Sequence, residues 1–311
     1  MINIEQVRKR YNGTRALDGF TVKVEPGELL GLVGPNGAGK TTLIKILSTL
    51  VRPDGGKANV AGWDVTTHPQ EVKQAVGYMP DQPGLYQDMR IREFLEFFAN
   101  AFHLPRERRR AAVDQGLARS GLAARSQAFV EELSFGMKQR LFLARTLLHN
   151  PKVLLLDEPA TGLDPLARID LRQQLKELNA QGITILISSH ILADLEDICT
   201  RVALISEGKN AADGEGSILI DLQKPALAAQ VYEVEILGDA AKAAQCAGEI
   251  VGIKVLAQDP AEIVVEIAGE AVQASQLLKH LVTGGVDVVK FARRVTTLED
   301  RYRQAFGGKP R

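Results

Sequence analysis

Cysteine is nearly absent from this chain of 311 residues: only Cys199 and Cys246 occur, and they form no CxxC pair. That usage counts against a disulfide scaffold or a zinc ribbon and fits a reducing compartment. Net charge is missing too. The 38 basic and 38 acidic side chains cancel, so no whole-protein field draws the molecule to nucleic acid or to an anionic membrane, and no nucleic-acid partner is expected. There is no long hydrophobic run. VLLL at 153–156 and ITILI at 183–187 fall far short of the roughly 20 residues that cross a bilayer. The opening MINIEQVRKRY has no apolar stretch behind its charges and does not read as a secretory signal. The chain is expected to be soluble by itself.

What the chain does contain is ordered alternation. Its length allows one large α/β domain with a smaller second one, because single cores rarely outgrow about 250 residues. Residues 2–24 alternate apolar and polar around NGT at 12–14, as two strands with a turn would. LLGLVG at 29–34 reads as a buried strand running into a glycine loop, and TTLIKILSTL at 41–50 has helical apolar spacing. Over about 82–133 helix formers dominate, with IREFLEFFANAF at 91–102 and RERRRAAVDQGLARSGL at 106–122. This stretch reads as a helical insert. A helix over about 135–149, strand VLLL, a helix over about 165–180, strand ITILIS at 183–188 and a helix over 190–199 follow. Such alternation predicts a parallel sheet covered by helices. The carboxyl-terminal stretch holds no nucleotide motif. It reads as strand 231–237, helix 239–248, strands 252–258 and 262–267, helix 270–282, strand 286–291 and helix 297–306. The order β-α-β-β-α-β predicts a small α+β, ferredoxin-like domain over 228–311.

Chemistry concentrates at a few places. GPNGAGKTT at 34–42 meets the pattern GxxxxGK[ST] with Gly34, Gly39, Lys40 and Thr41. Glycines let the backbone of Gly34, Pro35, Asn36, Gly37, Ala38 and Gly39 wrap closely around phosphate with its N–H groups inward, and the helix that follows presents its positive end. Lys40 is expected to reach the β- and γ-phosphates of a nucleoside triphosphate, and the hydroxyl of Thr41, beside Thr42, to bind Mg²⁺. VLLLDEP ends a buried strand in Asp157 and Glu158. A carboxylate at a strand's carboxyl end lies at the same sheet edge as the phosphate loop. Asp157 is therefore placed to hold Mg²⁺ through water. Glu158, pointing the other way in an extended chain, is placed to take the proton from an attacking water.

LSFGMKQRL at 133–141 resembles the signature sequence of ATP-binding cassette (ABC) transporter ATPases, in which a second glycine usually stands where this chain has Phe135. With GPNGAGKT, VLLLDEP, TGLD at 161–164 and SSH at 188–190, five motifs follow in that family's order and spacing, over roughly residues 2–220. The resemblance implies a P-loop NTPase fold, an ABC-type ATPase domain over 1–220 with an antiparallel N-terminal subdomain and the helical insert. It implies ATP and Mg²⁺ as ligands. It also implies a dimer, with a second copy or a homologous ATPase subunit, beneath a membrane-spanning permease at the cytoplasmic face of the cell membrane. The glycine loop of one subunit would meet the signature of the other with ATP between them. Ser134 and Gly136 stand just before a helix, where a hydroxyl and free N–H groups can grip a γ-phosphate. By the same resemblance His190 is the switch histidine that contacts the γ-phosphate, Asp164 makes a contact across the dimer, and Tyr11 lays its ring against adenine. Plainer roles stay open for three of these: Asp164 as a helix N-cap ahead of Pro165, Tyr11 as core packing, His190 as a helix-start residue.

Two positions depart from the family pattern. Its glutamine after the strand GYMP falls at Asp81, with Gln82 next, and either is a candidate for the role. Asp81 can ligate Mg²⁺ or water, but its charge weakens ATP binding unless Mg²⁺ or a proton offsets it. Phe135 adds bulk beside the partner's nucleotide and leaves the Ser134 and Gly136 donors intact. GYMPDQPGLYQDMRIREFLEFF and the ending TTLEDRYRQAF are similar to the export-type branch, so export is the expected direction. The alternative is a soluble ABC ATPase acting on nucleic acid or ribosomes. A single cassette, zero net charge and the lack of long coiled-coil heptads count against it. RERRR at 106–110 reads as a solvated helix face. Phe94, Phe97, Phe98 and Phe102 read as core of the insert, part of it open to a partner's helix.

Overall fold

The computed structural model describes residues 1–82, 84, 86, 88–211, 219–222, 230–267 and 271–294. These divide into two compact units, the described residues of 1–222 and those of 230–294. The helix expected over 297–306, with the export-like ending that contains it, lies outside the described residues.

The first unit begins with the strands Ile2–Tyr11 and Thr14–Val24, paired antiparallel. Asn12 and Gly13 between them have φ of 46° and 87°, the double left-handed turn that matches the twist of a hairpin. Gly55–Val60 adds to the other side of Ile2–Tyr11, and Trp63–Asp64 to it in turn. The second sheet has seven strands: Lys209–Asn210, Arg201–Ser206, Leu29–Val33, Thr184–Ser189, Val153–Asp157 and Val76–Met79 run in that order, and Leu219–Asp221 also pairs with Arg201–Ser206. The five from Arg201–Ser206 to Val76–Met79 are parallel. Every residue of Leu29–Val33, Val153–Asp157 and Thr184–Ser189 is buried, which is why they read as continuous apolar runs.

Helix Lys40–Leu47 joins the two sheets into one core, its Leu43, Ile44 and Leu47 clustering with Phe20 and Val22 of the hairpin and Leu32 and Leu155 of the parallel sheet. The insert holds helices Ile91–Ala101 and Arg106–Arg119 with short 3₁₀ turns at Ala123–Arg125 and Val130–Glu132. Phe94 is fully buried, whereas Phe97 is 42% exposed. Helix Pro165–Ala180 matches its expected span. The helix expected over 190–199 is only Leu192–Glu196; its late start follows from the Ser189 hydroxyl, which takes the Ile191 N–H at 3.0 Å and holds His190 and Ile191 in a turn. Each parallel strand that ends near Val33, Met79, Asp157 or Ser189 delivers the next residues to one edge of the sheet.

The second unit is a four-stranded antiparallel sheet in the order Ile253–Asp259, Glu262–Ile267, Gln230–Leu237, Asp287–Arg294. Helices Ala240–Gly248 and Ala271–Thr283 share a core with it. Ala243 and Ala247 meet Val234, Ile263 and Val265 there, with Leu277 and Leu281 from the second helix. The element order is β-α-β-β-α-β, that of a ferredoxin-like unit.

Candidate functional site

The glycine loop is shaped by backbone that crowds it. A Cβ on Gly34 would lie 2.1 Å from the Ile205 carbonyl oxygen, and one on Gly39, whose φ is 110°, would lie 2.4 Å from that of Ala16. Lys40 opens the helix and is buried. Its Nζ donates to Gly34 O at 2.7 Å and Pro35 O at 3.4 Å. No side chain caps this helix and its first turn holds no acid, so its leading N–H groups and positive end favour an anion. The loop residues 36–42 line a cleft of about 830 Å³, open mouth included, together with Asp81, Glu158 and His190. Ala16 and Thr161, which the sequence did not single out, complete the lining.

Glu158 does not continue the strand. The expectation of two adjacent side chains pointing opposite ways in an extended chain is corrected here: Glu158 has φ of 50°, in the left-handed region that bulky residues rarely occupy. The turn carries its carboxylate into the cleft. Oε1 lies 3.4 Å from Lys40 Nζ, and Oε2 lies 2.7 Å from His190 Nδ1. The His190 N–H donates to the same Oε2 at 3.3 Å, and the Thr161 hydroxyl at 3.4 Å. Ser188 holds the turn. Its buried hydroxyl donates to Asp157 Oδ1 at 2.7 Å and accepts from the Glu158 N–H at 3.0 Å. Gln139, buried in the helix that carries the signature, donates to Pro159 O at 2.7 Å. Sequence reasoning missed Ser188, Thr161 and Gln139, although they sit inside the SSH, TGLD and LSFGMKQRL motifs.

Asp157 is almost fully buried. Asp81 and Gln82 are both exposed, but only Asp81 is among the residues that line the cleft. The Asp81 carboxyl is pushed above its ordinary range, first by desolvation and then by the charges of Asp157 and Glu158, with His190 opposing. Among the described residues no three His, Cys, Asp or Glu side chains are grouped closely enough to hold a metal unaided. The oxygen donors present fit a hard cation that takes one or two protein ligands and completes its shell with phosphate and water.

Ser134 and Asp164 each cap a helix. The Ser134 hydroxyl accepts from the Met137 N–H at 3.4 Å, and Asp164 Oδ1 from the Ala167 N–H at 2.9 Å ahead of Pro165. With Gly136 they line a second groove, separate from the Lys40 cleft. Tyr11 is 43% exposed with Lys9 Nζ 5.6 Å from its ring centroid. It is not core, and it is not among the residues lining the cleft.

The ABC transporter family model matches residues 17–161. Nod factor export ATP-binding protein I of Burkholderia pseudomallei is 42% identical over 222 residues, 71% of this chain and 73% of that protein. Daunorubicin resistance ATP-binding protein DrrA2 of Streptomyces coeruleorubidus is 41% identical over 212 residues, 68% of this chain and 66% of that one. Among solved structures, an ATP binding subunit of an ABC transporter superposes with a TM-score of 0.61 at 31% identity, covering 67% of this chain and 87% of the other. The protein cbiO1 from Clostridium perfringens, part of the ABC transporter complex cbiONQ, gives 0.63 at 28% identity, with 71% and 88% covered. Identity of this order, sustained over nearly three quarters of a relative, reaches beyond a shared fold: the chain belongs to the ABC transporter family, as an ATP-binding and ATP-hydrolysing subunit.

Proposed function

We propose that the chain powers an export-type transporter from the cytoplasmic face of the cell membrane, bound to a separate membrane-spanning permease and paired with a second copy or a homologous subunit. The relatives named for Nod factor export and daunorubicin resistance support the direction. No described helix is long and apolar enough to cross a membrane, and in this reading the permease supplies the crossing. The half-exposed Tyr86 and Phe97, whose rings pack 5.3 Å apart, offer an apolar face to one of its helices.

The observation that carries the catalytic reading is the position of the Glu158 carboxylate between Lys40 and His190. Lys40 rests on an internal anion where a phosphate would sit. A nucleotide whose phosphates are held by the N–H groups of 34–42 gives Lys40 a second anion and releases Glu158 to accept a proton from water. His190 keeps that carboxylate aimed and reaches toward the γ-phosphate. Thr41, Asp157 and Asp81 are the residues that would hold Mg²⁺; Asp81 is raised first by desolvation and then by the charges of Asp157 and Glu158, and a cation would relieve that second part. The ion, when bound, stabilises charge on the phosphate oxygens. Tyr11 stacks on adenine. Ser134 and Gly136, in their own groove, serve the ATP of the second subunit, and Asp164 adds a contact across the dimer while capping its helix.

Glu158→Gln is expected to cut turnover by about 100-fold or more, the ordinary weight of a general base, with ATP still bound. Hydrolysis at the native rate would end the assignment. Isolation from membranes with a multi-spanning protein is expected; stimulation by DNA or ribosomes instead would favour the soluble alternative.

A further inference from the structure

Phe135 is the first residue of the helix Phe135–Thr146 and is 53% exposed. An aromatic ring there adds nothing to the core. Its contact is with the TGLD segment: a Cβ on Gly162 would lie 3.2 Å from Phe135 Cε1 and 3.3 Å from Cζ. The ring lies over the place a Gly162 side chain would take, and the φ of 78° there is left-handed, so a side chain at 162 would meet backbone strain and push on the ring. The residue before it, Thr161, is tied twice to Glu158, by its N–H to Glu158 O at 3.1 Å and by its hydroxyl to Oε2 at 3.4 Å. That oxygen is the one His190 Nδ1 holds at 2.7 Å. On the far side the segment is pinned by the Leu163 N–H on Ala160 O at 3.2 Å and by the Asp164 cap.

We infer that Phe135 is a positioning residue: through Gly162 and Thr161 it ties the signature turn of the chain to the hydrolytic carboxylate of the same chain. A glycine at 135 has no side chain to make this contact. With the ring in place, a shift of the helix start uncovers Gly162 and loosens the Thr161 hydroxyl that steadies Glu158 Oε2. The inference rests on Glu158 acting as the base.

The test is steady-state ATP hydrolysis and thermal melting of the full chain carrying Phe135→Ala, Phe135→Leu, Thr161→Val and the Ala/Val double substitution, beside Glu158→Gln. Phe135→Ala is expected to lower kcat roughly three- to tenfold with KM for ATP within about twofold, because the base is displaced and the phosphate loop is not. Melting should be unmoved, since the ring is exposed. Phe135→Leu, which keeps apolar cover on Gly162, should recover most of the rate. The double substitution should be no slower than the slower single one, as expected of two residues acting through one path. A native kcat in Phe135→Ala, or losses that multiply in the double, overturns the link. If Glu158→Gln hydrolyses normally, the base reading fails instead. A loss of melting temperature in Phe135→Ala that Phe135→Leu shares would assign the ring to stability and overturn the link as well.

Discussion

Ser188→Ala removes one oxygen atom from the buried end of the strand Thr184–Ser189 and with it the hydroxyl that Asp157 and Glu158 share. Alanine leaves the Glu158 N–H and a carboxylate oxygen without that partner, at a site where Ser188 and Asp157 are shielded from water. A hydrogen bond to a charged group contributes about 1.5–3 kcal/mol, and an orphaned buried polar group costs about 1–3 kcal/mol. The left-handed backbone at Glu158 stores about 1–2 kcal/mol, and its relaxation returns part of the loss. A net destabilisation of about 2–4 kcal/mol follows. In a domain of this size that lowers the melting temperature of the first unit by roughly 4–16 °C. The rate should fall further than stability suggests, because a base displaced by about 1 Å costs on the order of 100-fold. Affinity for nucleotide without Mg²⁺, set by 34–42, should stay within a few-fold. Calorimetric melting, ATPase kinetics and a nucleotide titration on the same preparation measure all three. Melting within about 2 °C of the native chain, together with a native rate, would refute the assignment of the Glu158 turn to the Ser188 hydroxyl.

Two further perturbations address the loop and a histidine that packs against the insert. Gly39→Ala meets both the strain of φ 110° and the Ala16 carbonyl at 2.4 Å, about 1–3 kcal/mol each, and should weaken nucleotide binding at least tenfold. Gly37→Ala meets nothing within 4 Å and carries the strain alone, so equal losses in a nucleotide titration of the two would contradict the steric account. His149 packs against Phe102 with ring centroids 4.4 Å apart and planes tilted by 36°, and its Nε2 donates to Val76 O at 3.0 Å while Nδ1 is buried without a partner. Burial lowers its pKa against the opposing effect of the Val76 bond. As pH falls below the ordinary histidine value the unfolded chain takes up the proton first, so this contribution to stability is complete above about pH 7 and is lost on acidification. Melting of the native chain should therefore drop relative to His149→Gln between about pH 7 and pH 5, and a difference independent of pH would show that His149 does not titrate on unfolding.

Much of this protein is legible without coordinates because its strongest signals are local. The spacing of Gly34, Gly39, Lys40 and Thr41 specifies a strand-to-helix phosphate loop by itself, since left-handed and tightly approached backbone positions admit little but glycine. Asp164 with Pro165 sets the start of the helix Pro165–Ala180 for an equally local reason, a side chain that caps and a ring that fits the first turn. Gly55–Val60 went unread as a strand, because only Ala58 and Val60 of it are buried and its partner lies far away in the chain. The left-handed turn at Glu158 is likewise invisible in VLLLDEP, which reads as extended to its end. Ser188, 30 residues further on, enforces that turn. That Asp81 and not the adjacent Gln82 lines the cleft depends on the path of the chain just past the strand Val76–Met79. The sequence by itself determined which residues could hold phosphate and carry charge at the strand ends. Only the tertiary structure decided which of them meet, because Lys40, Glu158 and His190 follow three strands whose order in the sheet is not their order in the chain.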